Sequence, residues 1–216
     1  MRAETIKKIM TGILAVSLVM APVMSVAATT TSGNSTSVVE SIITSSTSGE
    51  VTTVAEVPKT SAVAGVESTI TGVYLATSVN GSAVTTSTET IANSYGLRGD
   101  EKPYAKFFDL DASKSPLAKQ TIDLAADSLG AEVGPMLNIE LGKMSAGKYS
   151  LLPSDGTSIR LSFGIPSNFT QSGKTFAVVC VRAGGAVSVL EDVDTNPFTV
   201  TFDTTGGAGA YAIIKY

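Results

Sequence analysis

The sequence contains no histidine, no tryptophan and only one cysteine in its 216 residues. Without histidine, the chain lacks the side chain most often used for proton transfer near neutral pH and for binding transition metals. Without tryptophan, it lacks the largest aromatic ring for stacking against a sugar, and aromatic residues make up only 6% of the chain. The lone cysteine, Cys180, excludes an internal disulfide bond, so hydrophobic packing has to hold the fold together. These absences favour a protein that is not an enzyme.

The first 28 residues have the pattern of a secretory signal peptide. Arg2, Lys7 and Lys8 are basic, an apolar run extends over residues 9–24, and residues 26–28 supply a small-residue cleavage site. The alternative is a membrane anchor, but the apolar run has 16 residues, whereas a spanning helix needs roughly 20. The sequence therefore predicts a secreted, extracellular protein that is either released or associated with the cell surface.

Cleavage at this site would leave a mildly acidic chain. The whole sequence has 15 basic and 19 acidic residues, and residues 1–28 hold three of the basic and one of the acidic ones, so the mature net charge is −6. Such a chain has no electrostatic attraction for nucleic acid or for anionic lipid. We expect no nucleic-acid partner and no membrane contact after signal cleavage.

Residues 29–65 read as a Ser/Thr-rich spacer. Of the 34 residues from 29 to 62, 17 are Ser or Thr, a composition typical of flexible linkers. The sequence predicts that this stretch is disordered and separates the export signal from the fold. It is either a tether that holds the folded part away from the cell wall or a disordered tail.

A mixed α and β portion is expected over residues 66–130. Residues 70–79 and 82–86 read as strands joined at Asn80 and Gly81, which together are the strongest short-range hairpin signal. The same portion is expected to contain a helix over residues 89–95 capped by Thr88, a strand over 104–110 and a second helix between Ser115 and Gly130.

The second of these helices has the clearest signals in the chain. Ser115 is a typical N-cap, Pro116 fits the first helical position and Gly130 fits the residue after the C-cap. The apolar residues recur at spacings of four, three and four and form one stripe, which predicts that the helix lies against a sheet. This stripe consists of Ala118, Ile122, Ala125 and Leu129.

Residues 131–216 predict a β-sandwich, because apolar and polar residues alternate there in short runs separated by turn residues. Seven strands are expected, over residues 133–141, 148–152, 158–165, 175–182, 186–190, 198–203 and 210–215. Residues 154–156, 183–185 and 206–209 are expected to form turns between them. The fold class is therefore mainly β, an immunoglobulin-like antiparallel β-sandwich with one or two packed helices and an α+β N-terminal portion.

Residues 115–216 resemble a β-sandwich domain common near the C-termini of secreted and cell-surface proteins of Gram-positive anaerobes. The similar stretches are residues 156–166, 175–182, 186–190, 198–202 and 210–214. In that group the last strand carries a Tyr-Ala-hydrophobic pattern, which Tyr211, Ala212 and Ile213 match. The resemblance implies an extracellular structural or interaction module and brings no catalytic residues. The glycine-rich residues 206–209 depart from the group, where a bulkier aromatic turn is common.

One stretch has the spacing of a calcium-binding loop. Asp192, Asp194 and Asn196 stand where the first three ligands would be, and Asp203 stands at the twelfth position. Against this, Pro197 replaces the turn glycine, and the alternative is an acidic loop between two strands. A weaker version of the same pattern consists of Asp109, Asp111, Ser113 and Gln120. The sequence favours no cofactor, with calcium at the first set as the alternative.

Two further patterns point to enzymes and are better explained by structure. Ser145 and Lys148 have the spacing of serine acyl-enzymes, but a glycine between them favours a tight hairpin turn. Glu191 and Asp192 form an acidic pair of the kind that glycosidases need, without any sign of a sugar cleft around them.

The function that these observations favour is a secreted, non-enzymatic extracellular structural or cell-surface interaction protein of a Gram-positive bacterium. The alternative is a carbohydrate-binding or adhesive module whose partner is a cell-wall glycan, a host glycan or another surface protein. At least two exposed, coplanar aromatic rings would favour that alternative, whereas buried rings would contradict it. The candidates on the predicted sheets are Tyr74, Tyr104, Phe107, Phe108 and Tyr149.

Overall fold

The computed structural model describes residues 60–216. The predicted signal peptide and most of the predicted spacer lie outside the described residues. Residues 62–65, which the composition assigns to the spacer, already form a strand and a turn, and Val63 is buried. No helix within the described range is long and apolar enough to span a membrane.

Twelve strands and two helices make up residues 60–216. In chain order they are β1 (Ala62–Val63), β2 (Val66–Glu67), β3 (Thr71–Tyr74), β4 (Ser82–Val84), α1 (Thr88–Ser94), β5 (Lys102–Asp109), α2 (Pro116–Ser128), β6 (Glu132–Ser145), β7 (Lys148–Leu151), β8 (Ile159–Gly164), β9 (Phe176–Arg182), β10 (Val187–Glu191), β11 (Thr199–Thr204) and β12 (Gly207–Lys215). All seven strands expected after residue 130 are confirmed.

Two sheets dominate the molecule. The larger has seven strands in the order β10-β9-β12-β6-β5-β3, with β7 paired to β6, and the smaller has the order β11-β8-β4. Every pair is antiparallel except β3 with β5. Strands β1 and β2 form a small separate hairpin. The protein is therefore mainly β, as expected, whereas the finer immunoglobulin-like assignment stays a prediction.

The main core lies between these two sheets. Alternate residues of β6, among them Leu137 and Ile139, turn one face of the larger sheet inward, and Phe163 and Phe202 do the same from the smaller sheet. The ring of Phe107 in the larger sheet meets that of Phe163 edge-on, with 6.3 Å between their centroids. Since burial of one such side chain stabilises by roughly 1.5–3 kcal/mol, this interleaved set holds the sandwich together without a disulfide.

Helix α2 covers the outer face of the larger sheet. Ile122 and Ala126 are fully buried against Val179, Ala212 and Ile214, which belong to β9 and β12. The helix therefore lies against a sheet, as its apolar stripe predicts. Ser115 stands at the N-cap, although its side chain makes no capping hydrogen bond.

The predicted stripe is wrong at its C-terminal end. Leu129 is 45% exposed because the helix ends at Ser128, so that Leu129 does not continue the helical path. Ala126 takes its place against the sheet. The shorter helix α1 begins at Thr88 rather than after it, because Ser87 is the N-cap and its hydroxyl accepts a hydrogen bond from the backbone of Thr90.

The hairpin predicted at Asn80 and Gly81 does not form. Strand β3 pairs with β5 in the larger sheet, whereas β4 pairs with β8 in the smaller one, so the chain crosses between sheets instead of reversing. Gly81 has φ +89°, and a Cβ there would lie 2.1 Å from the carbonyl oxygen of Ala62. Glycine is therefore needed at this position both for the positive φ and because β1 passes too close for a side chain.

The turn predicted over residues 206–209 is also wrong. Gly207 is the first residue of β12, and Ala208 and Gly209 pair with Glu140 and Ile139 of β6. The connection from β11 is thus only residues 205–206, and other backbone passes very near it: a Cβ on Gly206 would lie 2.6 Å from the carbonyl oxygen of Pro153. The turns at residues 154–156 and 183–185 form as expected.

Candidate functional site

The loop between β10 and β11 brings three of the predicted site residues together. Asp192, Asp194 and Asn196 alternate along it, and each side chain accepts a hydrogen bond from the backbone N–H two residues further on. Such turns stabilise a loop locally, since the side chain replaces a missing backbone partner. The loop is therefore held by the residues that the sequence offers as metal ligands.

Asp192 also ties this loop to the neighbouring strand. Its Oδ1 atom accepts a second hydrogen bond, 2.9 Å long, from the backbone N–H of Thr201. Burial raises the pKa of its carboxyl group, although the two backbone donors oppose that shift. The Asp192 side chain is half-buried, so its main effect is to anchor the loop.

Asp194 uses both of its carboxylate oxygens inside the protein. Oδ1 accepts from the Asn196 N–H at 2.7 Å, and Oδ2 accepts from the hydroxyl groups of Thr199 and Thr201. A calcium ion at this loop would have to compete with these donors for the Asp194 oxygens, whereas Oδ2 of Asp192 accepts no hydrogen bond within residues 60–216.

Asp203 does not join the other three. It lies in β11 and forms a two-pronged ion pair with Arg160, with N–O distances of 2.9 and 2.8 Å. These hydrogen bonds lower the pKa of the Asp203 carboxyl group. Nowhere in residues 60–216 do three His, Cys, Asp or Glu side chains come close enough to hold a metal ion. Calcium at Asp192, Asp194 and Asn196 remains a prediction for experiment to decide.

Two open clefts adjoin this loop. The first, the apolar cleft, has a volume of about 380 Å³ and is lined by Val63, Ala64, Asn80, Gly164, Ile165, Ser167, Thr170 and Phe198. The second, the polar cleft, has a volume of about 570 Å³ and lies between residues 170–176 and the loop that carries Asp192 and Asp194. Both volumes are in the range of small-molecule sites.

Phe198 stands between the two clefts and lines both of them. Its side chain is 67% exposed, although it belongs to an alternating pattern whose other members, Val200 and Phe202, are fully buried. The reason is that β11 begins at Thr199, so Phe198 still belongs to the loop. Sequence periodicity places this ring in the core; only Pro197, directly before it, indicated that the strand starts later.

The opposite wall of the polar cleft is also fixed. Phe169 is buried, and its ring packs edge-on against Phe176 with 6.1 Å between centroids. The backbone N–H groups of Phe169 and Thr170 both donate to the carbonyl oxygen of Pro166. Since each wall is held by its own contacts, the clefts between them are preformed.

Several polar side chains beside Phe198 have no partner within residues 60–216. Gln171, Ser172 and Lys174 are exposed and make no side-chain hydrogen bond or ion pair with that part of the chain. The amide N–H groups of Asn196 are likewise unused, since only its oxygen is engaged. An exposed ring with unpaired hydrogen-bonding groups around it has the composition of a ligand site.

The five aromatic residues proposed for a sheet surface do not form one. Tyr74 and Phe107 are stacked inside the core. Tyr104 and Tyr149 meet at 66° and so are not coplanar, and the ammonium group of Lys106 lies 3.8 Å from the centre of the Tyr149 ring. Phe108 is partly exposed and stacks on no other ring of the described residues. Neither the Tyr74–Phe107 pair nor the Tyr104–Tyr149 pair therefore offers a flat, exposed platform.

The other chemical candidates have structural roles. Ser145 and Lys148 flank the two-residue turn between β6 and β7, in which Ala146 and Gly147 have φ of +47° and +76°, as the hairpin interpretation predicts. The Ser145 hydroxyl donates to Asp100 and lines neither cleft. Cys180 is buried, and burial raises the pKa of its thiol.

No protein-family model, curated protein or solved structure matches this chain.

Proposed function

We propose that this chain is a secreted, non-enzymatic protein of a Gram-positive bacterium that acts outside the cell in a structural or cell-surface interaction role. The signal-peptide pattern of residues 1–28 and the Ser/Thr-rich composition after it support export. The sandwich supports an interaction role, because it presents two preformed clefts at one end of a rigid framework.

The exposure of Phe198 is the observation that carries this proposal. Contact between water and a large aromatic ring that is 67% exposed is unfavourable, and a bound partner would remove part of that contact. The backbone at this residue is held by Pro197 before it and by the Asn196 oxygen, which accepts from the Phe198 N–H. An exposed ring on a held backbone can contact a partner without the loop having to be ordered first.

A second candidate function is carbohydrate binding or adhesion at the same end of the sandwich. The neutral side chains of Gln171, Ser172 and Asn196 favour it, since sugars are bound through hydroxyl groups that exchange hydrogen bonds with amides and hydroxyls. Here the aromatic contact comes from the loop residue Phe198 and not from the sheet-face rings considered above.

One experiment tests both candidates. The full chain is expressed in a Gram-positive host, recovered from the medium and probed on an array of glycans and cell-wall fragments, with calcium and again with a chelator. We expect a chain shortened by the first 28 residues that binds at least one array component. Binding lost with the chelator would favour calcium at Asp192, Asp194 and Asn196, whereas unchanged binding would exclude it from this role.

The same samples test the absence of catalysis. Bound glycans and a panel of peptides are analysed for products after prolonged incubation, and we expect none. Turnover that is abolished by Asp192→Asn would overturn the non-enzymatic proposal, because Asp192 and Asp194 are the two carboxylates that line the polar cleft.

A chain that stays intact inside the cell would contradict the export proposal.

A further inference from the structure

The two clefts beside Phe198 differ in their chemistry. The apolar cleft is walled by Val63 and Ile165, each only 2% exposed, and by the methyl group of Ala64. The polar cleft is lined by amides, hydroxyls and three charged groups. A ligand that fills both needs an apolar group on one side of the aromatic ring and several hydroxyl groups on the other.

The Asn80 side chain gives the apolar cleft a hydrogen-bond acceptor without a partner in residues 60–216. The side-chain nitrogen of Asn80 donates to the carbonyl oxygen of Ile165 at 3.0 Å, which fixes the amide. Its oxygen accepts no hydrogen bond from residues 60–216, and Asn80 is one of the residues that line the cleft. A methyl group next to an N–H donor is complementary to this cleft, and an acetamido group has both.

The polar cleft suits the hydroxyl groups of a sugar. Gln171, Ser172 and Asn196 provide donors and acceptors without partners inside the described fold. The exposed ring of Phe198 offers an apolar surface on which the C–H face of a pyranose can stack. Gln171 and Ser172 lie on the wall opposite the ring, whereas Asn196 lies on the same loop as Phe198, so one sugar unit can contact both walls.

The charges of the groove disfavour an anionic ligand. Lys174 is its one cation among the lining residues, whereas Asp192 and Asp194 are two carboxylates, which leaves a net charge of −1. The chain that signal cleavage would leave has a net charge of −6, of which the groove's −1 is a part. A phosphate-rich or uronic-acid polymer would be repelled, so the ligand that fits is neutral.

We propose that the groove formed by the two clefts binds a neutral oligosaccharide that contains N-acetylated amino sugars. One sugar ring stacks on Phe198, its acetamido group enters the apolar cleft with its N–H towards Asn80, and its hydroxyl groups bind Gln171 and Asn196. This inference rests on the proposed interaction function and specifies its ligand. A peptide partner could also pair with these amides, and the test below includes it as an outcome.

The test is calorimetric titration of the full chain with the tetramer of N-acetylglucosamine and with cellotetraose. The two sugars share the same linkage and length and differ only in the acetamido groups. We expect the acetylated tetramer to bind at least about tenfold more tightly. Phe198→Ala is expected to weaken it by about tenfold through loss of the stacking surface.

Leu117→Ala is the matched control for Phe198→Ala. Leu117 is a large apolar side chain with 75% exposure, but it lies on α2 and lines neither cleft. We expect it to leave the affinity unchanged. Circular dichroism of both variants shows whether the fold is retained, and we expect it to be, because each residue is exposed.

Four results would overturn the inference. Equal affinity for the two tetramers would exclude acetamido recognition, and affinity unaffected by Phe198→Ala would exclude this groove. A chain that binds neither tetramer but still binds cell-wall protein or peptide would exclude a glycan ligand and leave the interaction function standing. A chain that binds neither tetramer and nothing on the array would overturn the binding role as well.

Discussion

At Gly206 the backbone passes so close to its neighbours that no side chain fits. An added Cβ would lie 2.5 Å from the Cβ of Leu152 and 2.6 Å from the carbonyl oxygen of Pro153. The backbone N–H of the same residue donates to the hydroxyl of Tyr95, which in turn donates to the carbonyl oxygen of Thr157. Gly206 therefore joins three segments that are distant in the sequence.

We expect Gly206→Ala to destabilise the protein by about 1–3 kcal/mol, since the clash is with backbone and with a side-chain atom that cannot rotate away. Gly99→Ala is the matched control, because nothing lies within 4 Å of its Cβ and its φ is not positive. The control should change stability by less than about 1 kcal/mol. Urea denaturation followed by circular dichroism measures both, and equal stabilities would contradict the close approach at Gly206.

At the scale of elements, α2 is attached to the larger sheet by few side chains. Only Ile122 and Ala126 of this helix are fully buried, and Leu117 and Leu124 face solvent on the opposite side. The attachment therefore depends on one large residue, which packs against alanines and β-branched residues of β9 and β12.

We expect Ile122→Ala to cost about 2–5 kcal/mol, because it removes buried methylene groups and leaves a cavity beneath the helix. Leu124→Ala, on the same helix but 63% exposed, should change stability by less than about 0.5 kcal/mol. Chemical denaturation of the two variants makes the comparison. If both cost the same, α2 is not packed against the sheet through Ile122.

The sequence predicts well the elements that are defined by their own hydrophobic pattern and their own end residues. Strand β9 is apolar on both faces, and it lies between β10 and β12 with all but Arg182 buried. Ser115, Pro116 and Gly130 likewise bound α2 within a residue. In both cases the hydrophobic period and the end residues are sufficient, because no distant segment alters them.

The sequence predicts poorly the elements whose conformation depends on segments that are far away in the chain. Asn80 and Gly81 carry a strong local hairpin signal, yet β4 finds its partner in β8, about 80 residues further along the chain. Gly206 and Gly207 likewise read as a turn, because nothing in their local sequence shows that Leu152 and Pro153 pass beside them. Tertiary contacts override local preference at such positions.

The candidate site likewise has features that the sequence predicts and features that it does not. The spacing of Asp192, Asp194 and Asn196 was sufficient to predict that they share one loop. The exposure of Phe198 was not predictable, because it depends on β11 starting one residue later than the alternation indicates. The wall formed by residues 170–176 was not predictable either, because it depends on the packing of Phe169 against Phe176.

For the whole molecule, acid should weaken the fold through its carboxylates. Asp109 accepts hydrogen bonds from the backbone N–H groups of Thr77 and Ser78 and from the Thr77 hydroxyl. Burial of Asp109 opposes its ionisation, but these hydrogen bonds outweigh burial and lower the pKa of its carboxyl group. The hydrogen bonds from Arg160 lower the pKa of Asp203. The Ser113 hydroxyl and its neighbours lower the pKa of Asp111 to about 2.

Because these pKa values are lower in the folded chain than in the unfolded one, the unfolded chain binds more protons in acid. The free energy of unfolding is therefore expected to be highest above the ordinary carboxyl pKa of about 4 and to fall as the pH approaches about 2. Asp192, whose pKa is raised by burial, works in the opposite direction and offsets part of the loss.

Asp109→Asn isolates one contribution to this acid sensitivity. It should cost about 1 kcal/mol at pH 7, a modest value because the carboxylate is exposed, and the cost should shrink as the pH falls and the wild-type carboxyl takes up its proton. Asp127→Asn makes the same change in charge at an exposed position of α2 without removing a hydrogen bond within residues 60–216, so its stability should follow the wild type. Urea denaturation of the three proteins at pH 7, 4 and 2 measures the difference. A cost for Asp109→Asn that stays constant across this range would mean that its hydrogen bonds do not depend on the charge, which would remove the link between this loop and the acid sensitivity of the whole fold.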